Sequence, residues 1–505
     1  MSMRPDSKEI RSVRKPRRLI QHTSNIVRMP GAKKKADQEC TPLRHAADYR
    51  RQDQENSTIV RYLSNSKSRA AKAGCFMVLS SHGDHSPPTS NAKRNQSSSR
   101  NKQLKILYAL GPGDVVGLYR DLLEGRQPAF QPGMAFSKQF LDWCDESGVE
   151  AHVISSHSRR DRISVGRHRV ENRPPFSWGF CGGLKYHLGI VFYGLAIVAQ
   201  AVRQRANLVI ADGGTTHWMV LSLFAVLRTP VIAVMHNTLW PMGVPPKRFI
   251  GQFFLSLDGF FFRRIASATV CVSPECERQV RRVAGTPKGP IYQCRAQYRE
   301  KFLSRVSPVP ERPLRPFHVL FLGRIEEAKG VFLILSMAKR LEKELPGQFV
   351  WRIVGSGAAS GALERQVVEQ ELSGLVEVPG GLTNEQKALE TFGWAHALVV
   401  PTTARFAEGL AMVAVEAILA SRPVVVSSVV PAWEILGDAA IVAETDSVAS
   451  FAQAFRKLAL ESDYYDRCQR ATQAAQSQFY DRSQGLGAMI GRAISDLGQP
   501  LHQNK

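Results

Sequence analysis

The chain has 505 residues, 44% apolar and 22% charged. This is ordinary globular composition, with material for roughly two to four domains and sizeable cores. Its net charge of +23 is uneven, because residues 1–103 hold 22 Lys+Arg against 8 Asp+Glu and the rest carries only +9. A nucleic-acid-binding fold is disfavoured, since most of the excess charge lies outside the segments with core-forming pattern and no recognition motif accompanies it.

Residues 1–103 are rich in Ser, Asn, Gln, Lys and Arg, with basic runs at Arg14–Arg18 and Lys33–Lys35. They are expected to remain disordered. A nucleic-acid arm, a tether to anionic membrane, a solvated tail, and an over-extended start with true initiation near Met77 all stay open. The extreme N-terminus has no apolar stretch behind its basic residues, so no secretory signal fits. Of eight scattered cysteines, Cys271 and Cys276 form the closest pair. A single C-x4-C without partner ligands points to free thiols in a reducing cytoplasm rather than to a metal.

From Leu104 short apolar runs alternate with amphipathic stretches, the signature of βαβ units and parallel sheets. Strands are predicted at 105–110, 150–155, 207–212, 230–236 and 268–273, with helices at Ala135–Ser147 and Leu184–Arg205. Leu184–Val202 is interrupted by Lys185, His187 and several small residues, and is read as a buried core helix rather than a membrane span. Phe249–Arg264 mixes phenylalanines with Lys247, Arg248, Arg263 and Arg264, which suits either core packing or an amphipathic helix on anionic lipid. Residues 104–306 thus form one doubly wound domain.

After the Pro-rich linker 307–316, a second domain is predicted over 317–483. Its strands lie at 317–323, 349–355, 375–380, 397–401 and 423–428, and its helices at Val331–Glu344, Gly361–Leu372, Glu385–Trp394, Leu410–Ala420 and Val448–Leu460. A terminal helix near Gln484–Leu497, in the segment 484–505, is placed to cross back onto the first domain. Two consecutive α/β domains imply a cleft where the carboxyl ends of strands present loops to a ligand.

The chemistry concentrates in two segments. In FAEGLAMVAVEAILASRPVVVSS (406–428), Glu408 and Glu416 flank a predicted loop-to-helix junction at which Gly409 lets the chain turn. Leu410, Ala411, Met412 and Val413 would offer amides at a helix N-terminus, where a phosphate is favoured. Glu408 can reach hydroxyls of a sugar on the distal phosphate, and Glu416 can accept from a ribose diol. In FLGRIEEAKGV (321–331), Gly323 leads into a loop bearing Arg324 and Lys329, two cations able to neutralise a departing nucleoside diphosphate.

On these residues the chain resembles the family 4 glycosyltransferases, retaining enzymes of GT-B fold, over roughly residues 104–495. The family's GR…KG segment matches Arg324 and Lys329, and its EX7E segment matches Glu408 and Glu416. IVGSG (353–357, with Gly355), VPGGL (378–382) and PAWEILGDAAIV (431–442, with Glu434) match further segments. Three departures stand out: Leu410 and Ala411 replace the usual FG after Gly409, Val429 and Val430 stand where two glycines are common, and Ser421 replaces a helix-ending glycine.

The resemblance implies a nucleotide-sugar donor, a glycan or lipid-linked acceptor, no cofactor and no metal. It further implies a cytoplasmic site, at the inner face of the plasma membrane where that acceptor is lipid-linked. Glu408, His236, Arg324 and Lys329 would serve catalysis. The acceptor would meet Gly133 in the loose glycine loop QPGMAFS (131–137) and His217; His217 and Asp212, both at or after the strand preceding that of His236, are further candidates, and Ser273 is read as a turn cap. Bacterial polysaccharide synthesis is the family's commonest use. The alternatives are an inverting transferase or nucleotide-sugar epimerase of the same fold, and a catalytically silent relative acting as a membrane or complex scaffold.

Overall fold

The computed structural model describes residues 104–125, 133–175, 184–309 and 315–498. The basic segment 1–103, Cys181, Gln131, Pro132, the linker's Pro310 and Pro313, and the tail beyond 498 lie outside the described residues.

The first sheet contains β1 (Lys105–Leu110), β2 (Glu150–Ser156), β3 (Asp161–Val165), β4 (His168–Arg173), β5 (Leu208–Asp212), β6 (Val231–Met235), β7 (Ala268–Cys271) and β8 (Ile291–Gln293). Their order is β3-β4-β2-β1-β5-β6-β7-β8, parallel except for the β3–β4 pair. The central strands β5 and β6 are buried along their whole length. Helices cover both faces of such strands, which is why LVIAD and VIAVM read as continuous apolar runs.

The second sheet contains β9 (Phe317–Leu322), β10 (Phe349–Val354), β11 (Val376–Gly380), β12 (Ala397–Val400), β13 (Val424–Ser427) and β14 (Ala440–Ala443). All its pairings are parallel, in the order β11-β10-β9-β12-β13-β14. The chain enters at β9, winds to one edge, then returns across β9 to build the other half. The switch point between β9 and β12 opens a crevice at the carboxyl ends of those strands.

One contiguous core runs through the first sheet, the terminal helix and one face of the second sheet. A second core fills the other face of that sheet beneath helices Val331–Glu344 and Val448–Leu460. The terminal helix Leu486–Asp496 lies on helix Phe136–Glu146, where the Leu486 amide donates to Gln139 Oε1 at 3.0 Å and Gly491 sits against the Trp143 indole. Backbone bonds from Arg295 to Gln484 (2.8 Å) and from Tyr298 to Phe479 (2.9 Å) fasten the same crossing.

Two sequence expectations need correction. The hairpin β3–β4 was not anticipated, because arginines mask its alternation and only Gly166, left-handed at φ 56, marks its turn. Helix Leu184–Gln204 buries one face, including Tyr193 and Ile197, but it is not an enclosed core helix. Its outer stripe Leu188, Phe192, Leu195, Ala199 and Val202, spaced by four and three residues, is exposed.

Candidate active site

The loop after β9 closes in a single 3-10 turn, Glu327–Lys329, followed by Gly330 at φ 77, which begins helix Val331–Glu344. Besides supplying the left-handed turn, Gly330 leaves room for the Pro401 carbonyl, with which a Cβ would collide. The loops after β9 and β12 therefore pack together, and the Thr403 amide and hydroxyl both donate to the Ala328 carbonyl, at 3.0 and 3.1 Å. This contact sets Lys329 opposite Glu408. Lys329 Nζ lies 2.5 Å from Glu408 Oε2, which also accepts from the Thr402 hydroxyl at 3.2 Å. The ammonium sits 4.0 Å from the centre of the Phe406 ring, and the Arg324 guanidinium lies 5.7 Å from the same ring. Arg324 occupies the rim, 60% exposed and paired with Glu326 at 2.6 Å.

Helix Met412–Leu419 begins after Ala411, which is left-handed at φ 63. This is two residues later than the sequence suggested, and Leu410 is buried in the core instead of facing the hollow. Gly409 also has a different use from the one expected: its φ is not positive, and it is needed because a Cβ would collide with the His236 carbonyl. The first-turn amides of Met412 and Val413 have no acceptor within the helix. They border a cavity of about 560 Å³ lined also by Gly323, Arg324, Lys329, Gly355, Glu408 and Glu416. Glu416, one turn inside the helix, projects to the same hollow; enclosure by protein pushes its carboxyl up to about 7.

The first lobe packs against the Glu408–Gly409 backbone through His236 and the residues after it, and His236 itself is not among the residues lining the hollow. The Thr238 hydroxyl donates to the Glu408 carbonyl at 3.2 Å. His236 Nε2 is 3.2 Å from Asp212 Oδ2, near enough for an ion pair but not aligned as a hydrogen bond. Both ring nitrogens are buried without a hydrogen-bond partner among the described residues. Asp212 is fixed by the Tyr108 hydroxyl at 2.8 Å and the Gly111 amide at 3.3 Å. Gly133 bridges to Tyr298, whose hydroxyl donates to the Met412 carbonyl at 3.2 Å, so this glycine stands beside the helix N-terminus.

His217 does not line the cavity. It pairs with His187 at 3.0 Å, and both rings stack on Phe254. Ser273 caps helix Pro274–Ala284, accepting from the Cys276 amide at 3.4 Å. Cys271 and Cys276 are buried thiols, pushed up by desolvation. Glu434 joins the lobes through Arg278 at 2.5 Å, away from the cavity. Sequence reading passed over Thr402, Phe406, Thr238 and Tyr298. Phe406 opens the quoted FAEGLA motif and was the one with a local signal; the other three act through contacts between distant segments.

Two open α/β sheets set across a cleft, with a cationic pair and two carboxylates gathered at the switch point of the downstream sheet, define a glycosyltransferase of the GT-B class. The chain belongs to the group 1 glycosyltransferases: the "Glycosyl transferases group 1" family pattern matches residues 305–477, and the "Glycosyl transferase 4-like domain" pattern matches 135–293. Among solved structures of this fold, it is similar to sucrose-phosphate synthase from Thermosynechococcus elongatus (16% identity, TM-score 0.59, 78% of this chain and 99% of that one). It is also similar to Anabaena HepE in complex with UDP-glucose (15%, 0.53, 78% and 100%). A third is the trehalose-6-phosphate synthase from E. coli bound with UDP-2-fluoro glucose (11%, 0.57, 79% and 99%). No curated protein matches the sequence.

Proposed function

We propose that this protein is a retaining glycosyltransferase that moves a sugar from a nucleoside diphosphate to a glycan or lipid-linked acceptor in bacterial polysaccharide synthesis, in the cytoplasm at the inner face of the plasma membrane. The observation that carries this reading is the direct Lys329–Glu408 pair at the rim of a hollow also lined by Arg324, Glu416 and a helix N-terminus. Those groups suit a diphosphate flanked by two polyols. Met412 and Val413 amides with Arg324 and Lys329 would receive the diphosphate, Glu416 the ribose hydroxyls, and Glu408 with His236 the transferred sugar. UDP-glucose in HepE and UDP-2-fluoro glucose in the E. coli structure support a nucleotide-sugar donor.

In the proposed step the bond from the anomeric carbon to the distal phosphate oxygen breaks while the acceptor oxygen bonds that carbon on the same face. The acceptor proton passes to the departing phosphate oxygen. Arg324 and Lys329 stabilise the charge that collects on the nucleoside diphosphate, so the step calls for no metal. His236, whose ring nitrogens have no hydrogen-bond partner among the described residues, would bind a hydroxyl of the transferred sugar.

A second reading, a silent scaffold, draws on Ala411, where a methyl group stands in the left-handed turn that heads the phosphate site. Incubation with a panel of α-linked nucleotide sugars and lipid-linked acceptors, followed by NMR of the product, tests the choice. An α-linked product is expected. A β-linked product would replace retention with inversion, and failure of any nucleotide sugar to bind in calorimetric titration would favour the scaffold.

A further inference from the structure

The first lobe carries an apolar surface unrelated to the donor cavity. Helix Phe249–Arg264 buries Phe261 and Phe262, yet turns Phe249 (80% exposed), Ile250, Phe253 and Phe260 outward, at intervals of one, three and seven residues that keep them on one side of the helix. Beside it the segment after helix Trp218–Ala225 exposes Val226 (82%) and Leu227. The outer stripe of helix Leu184–Gln204 adds Leu188, Leu195 and Val202. The stack of His187 and His217 on Phe254 joins these elements, so their exposed side chains form one face rather than isolated sites. A contiguous apolar patch of this kind marks an interaction surface.

Charge identifies the partner. Residues 184–205 and 214–230 contain no Asp or Glu, and 241–264 contains only Asp258. Asp258 is buried and accepts from the Met219 amide at 3.0 Å. The exposed cations of this face, among them Lys185, Arg228, Lys247, Arg248 and Arg264, therefore have no acidic neighbour on it. A partner of protein would have to offer an apolar centre ringed by acids, and a second copy of this chain would set cations against cations. A lipid surface with anionic headgroups satisfies both features at once: acyl chains take the phenylalanines while headgroups meet the basic rim.

We infer that the face built from helices Leu184–Gln204 and Phe249–Arg264 and the segment 223–228 docks the protein in-plane on an anionic bilayer, without spanning it. Helix Lys185–Gln204 has the length and hydropathy of a span. Its inner face is nevertheless committed to the core through Tyr193, Ile197 and Ala201. The inference rests on surface chemistry and deepens the proposed function by naming how a lipid-linked acceptor would be met.

Flotation of the full chain with phosphatidylglycerol–phosphatidylcholine vesicles, against phosphatidylcholine alone, tests it. Binding to the mixed vesicles is expected, weakened by high salt. Phe249→Glu with Phe253→Glu, and separately Lys247→Glu with Arg248→Glu, should each lower partitioning by about tenfold or more, with melting temperature and nucleotide-sugar affinity unchanged. Failure to bind mixed vesicles would overturn the inference. So would binding that both variants retain, which would assign the contact to residues 1–103, or a dimer in light scattering that the Phe variant dissolves. Flotation needs no turnover, so a vesicle-bound but inactive protein would count against the transferase step alone.

Discussion

Ala411 and Ser421 are non-glycine residues held left-handed, at φ 63 and 58, at the two ends of helix Met412–Leu419. The family resemblance places glycine at both, so a departure visible in the sequence becomes a physical cost of about 1–2 kcal/mol each. The other departure carries no such cost, since Val429 and Val430 keep negative φ and fill the core. Ala411→Gly and Ser421→Gly should each raise stability by about 0.5–1 kcal/mol after the extra entropy of the unfolded glycine is subtracted. Chemical denaturation of the single variants measures this, and a loss in both would show that the methyl and hydroxyl contacts outweigh the strain.

Glu416 contributes a pH signature. Burial raises its carboxyl from 4.5 to about 7, so the folded chain holds this proton more tightly than the unfolded chain does. The penalty for ionising it is absent below the unfolded value and grows as pH rises through that interval. Glu416→Gln should match the parent protein near pH 4 and exceed it by about 1–3 kcal/mol at pH 8, while weakening donor binding. A difference in melting temperature that does not change with pH would remove burial as the cause. This shift was invisible in the sequence, which placed Glu416 on the ligand face but could not give its surroundings.

At the scale of elements, legibility followed pattern strength. Helices Val331–Glu344, Glu385–Trp394 and Val448–Leu460 fall where their periodicity put them, because each pairs an apolar stripe with a polar face. The hairpin β3–β4 and the short edge strands β8 and β14 were missed: β3 is half-buried, β4 is polar in sequence although four of its six residues are buried, and β8 and β14 are only three to four residues long. The start of helix Met412–Leu419 was misplaced by two residues because the sequence shows Gly409 but not the backbone it touches. The crossing helix Leu486–Asp496 depends on small residues, and a Cβ at Gly487 would meet the Gln139 carbonyl. Gly487→Ala should therefore cost about 1–3 kcal/mol and separate this helix from Phe136–Glu146. Hydrogen exchange would show faster exchange confined to 486–496 and its partner; unaltered exchange would mean the backbone yields without cost.

For the whole molecule, the sequence named the residues of the second lobe but not how the first lobe completes the site. Thr238, Gly409 against His236, and Tyr298 against Met412 join segments more than a hundred residues apart, and such contacts leave no local trace. They pack one lobe against the Glu408–Met412 segment that borders the charged hollow of the other. A mobile phosphate-bearing donor would complete that hollow. Isothermal titration of the full chain with a panel of UDP-, GDP- and ADP-sugars tests this most directly, alongside Lys329→Ala and Arg324→Ala. The account predicts that one donor class binds the parent protein, and that each variant loses about tenfold or more in affinity with its melting temperature nearly unchanged. Binding of no nucleotide sugar, or equal affinity in parent and variants, would contradict it.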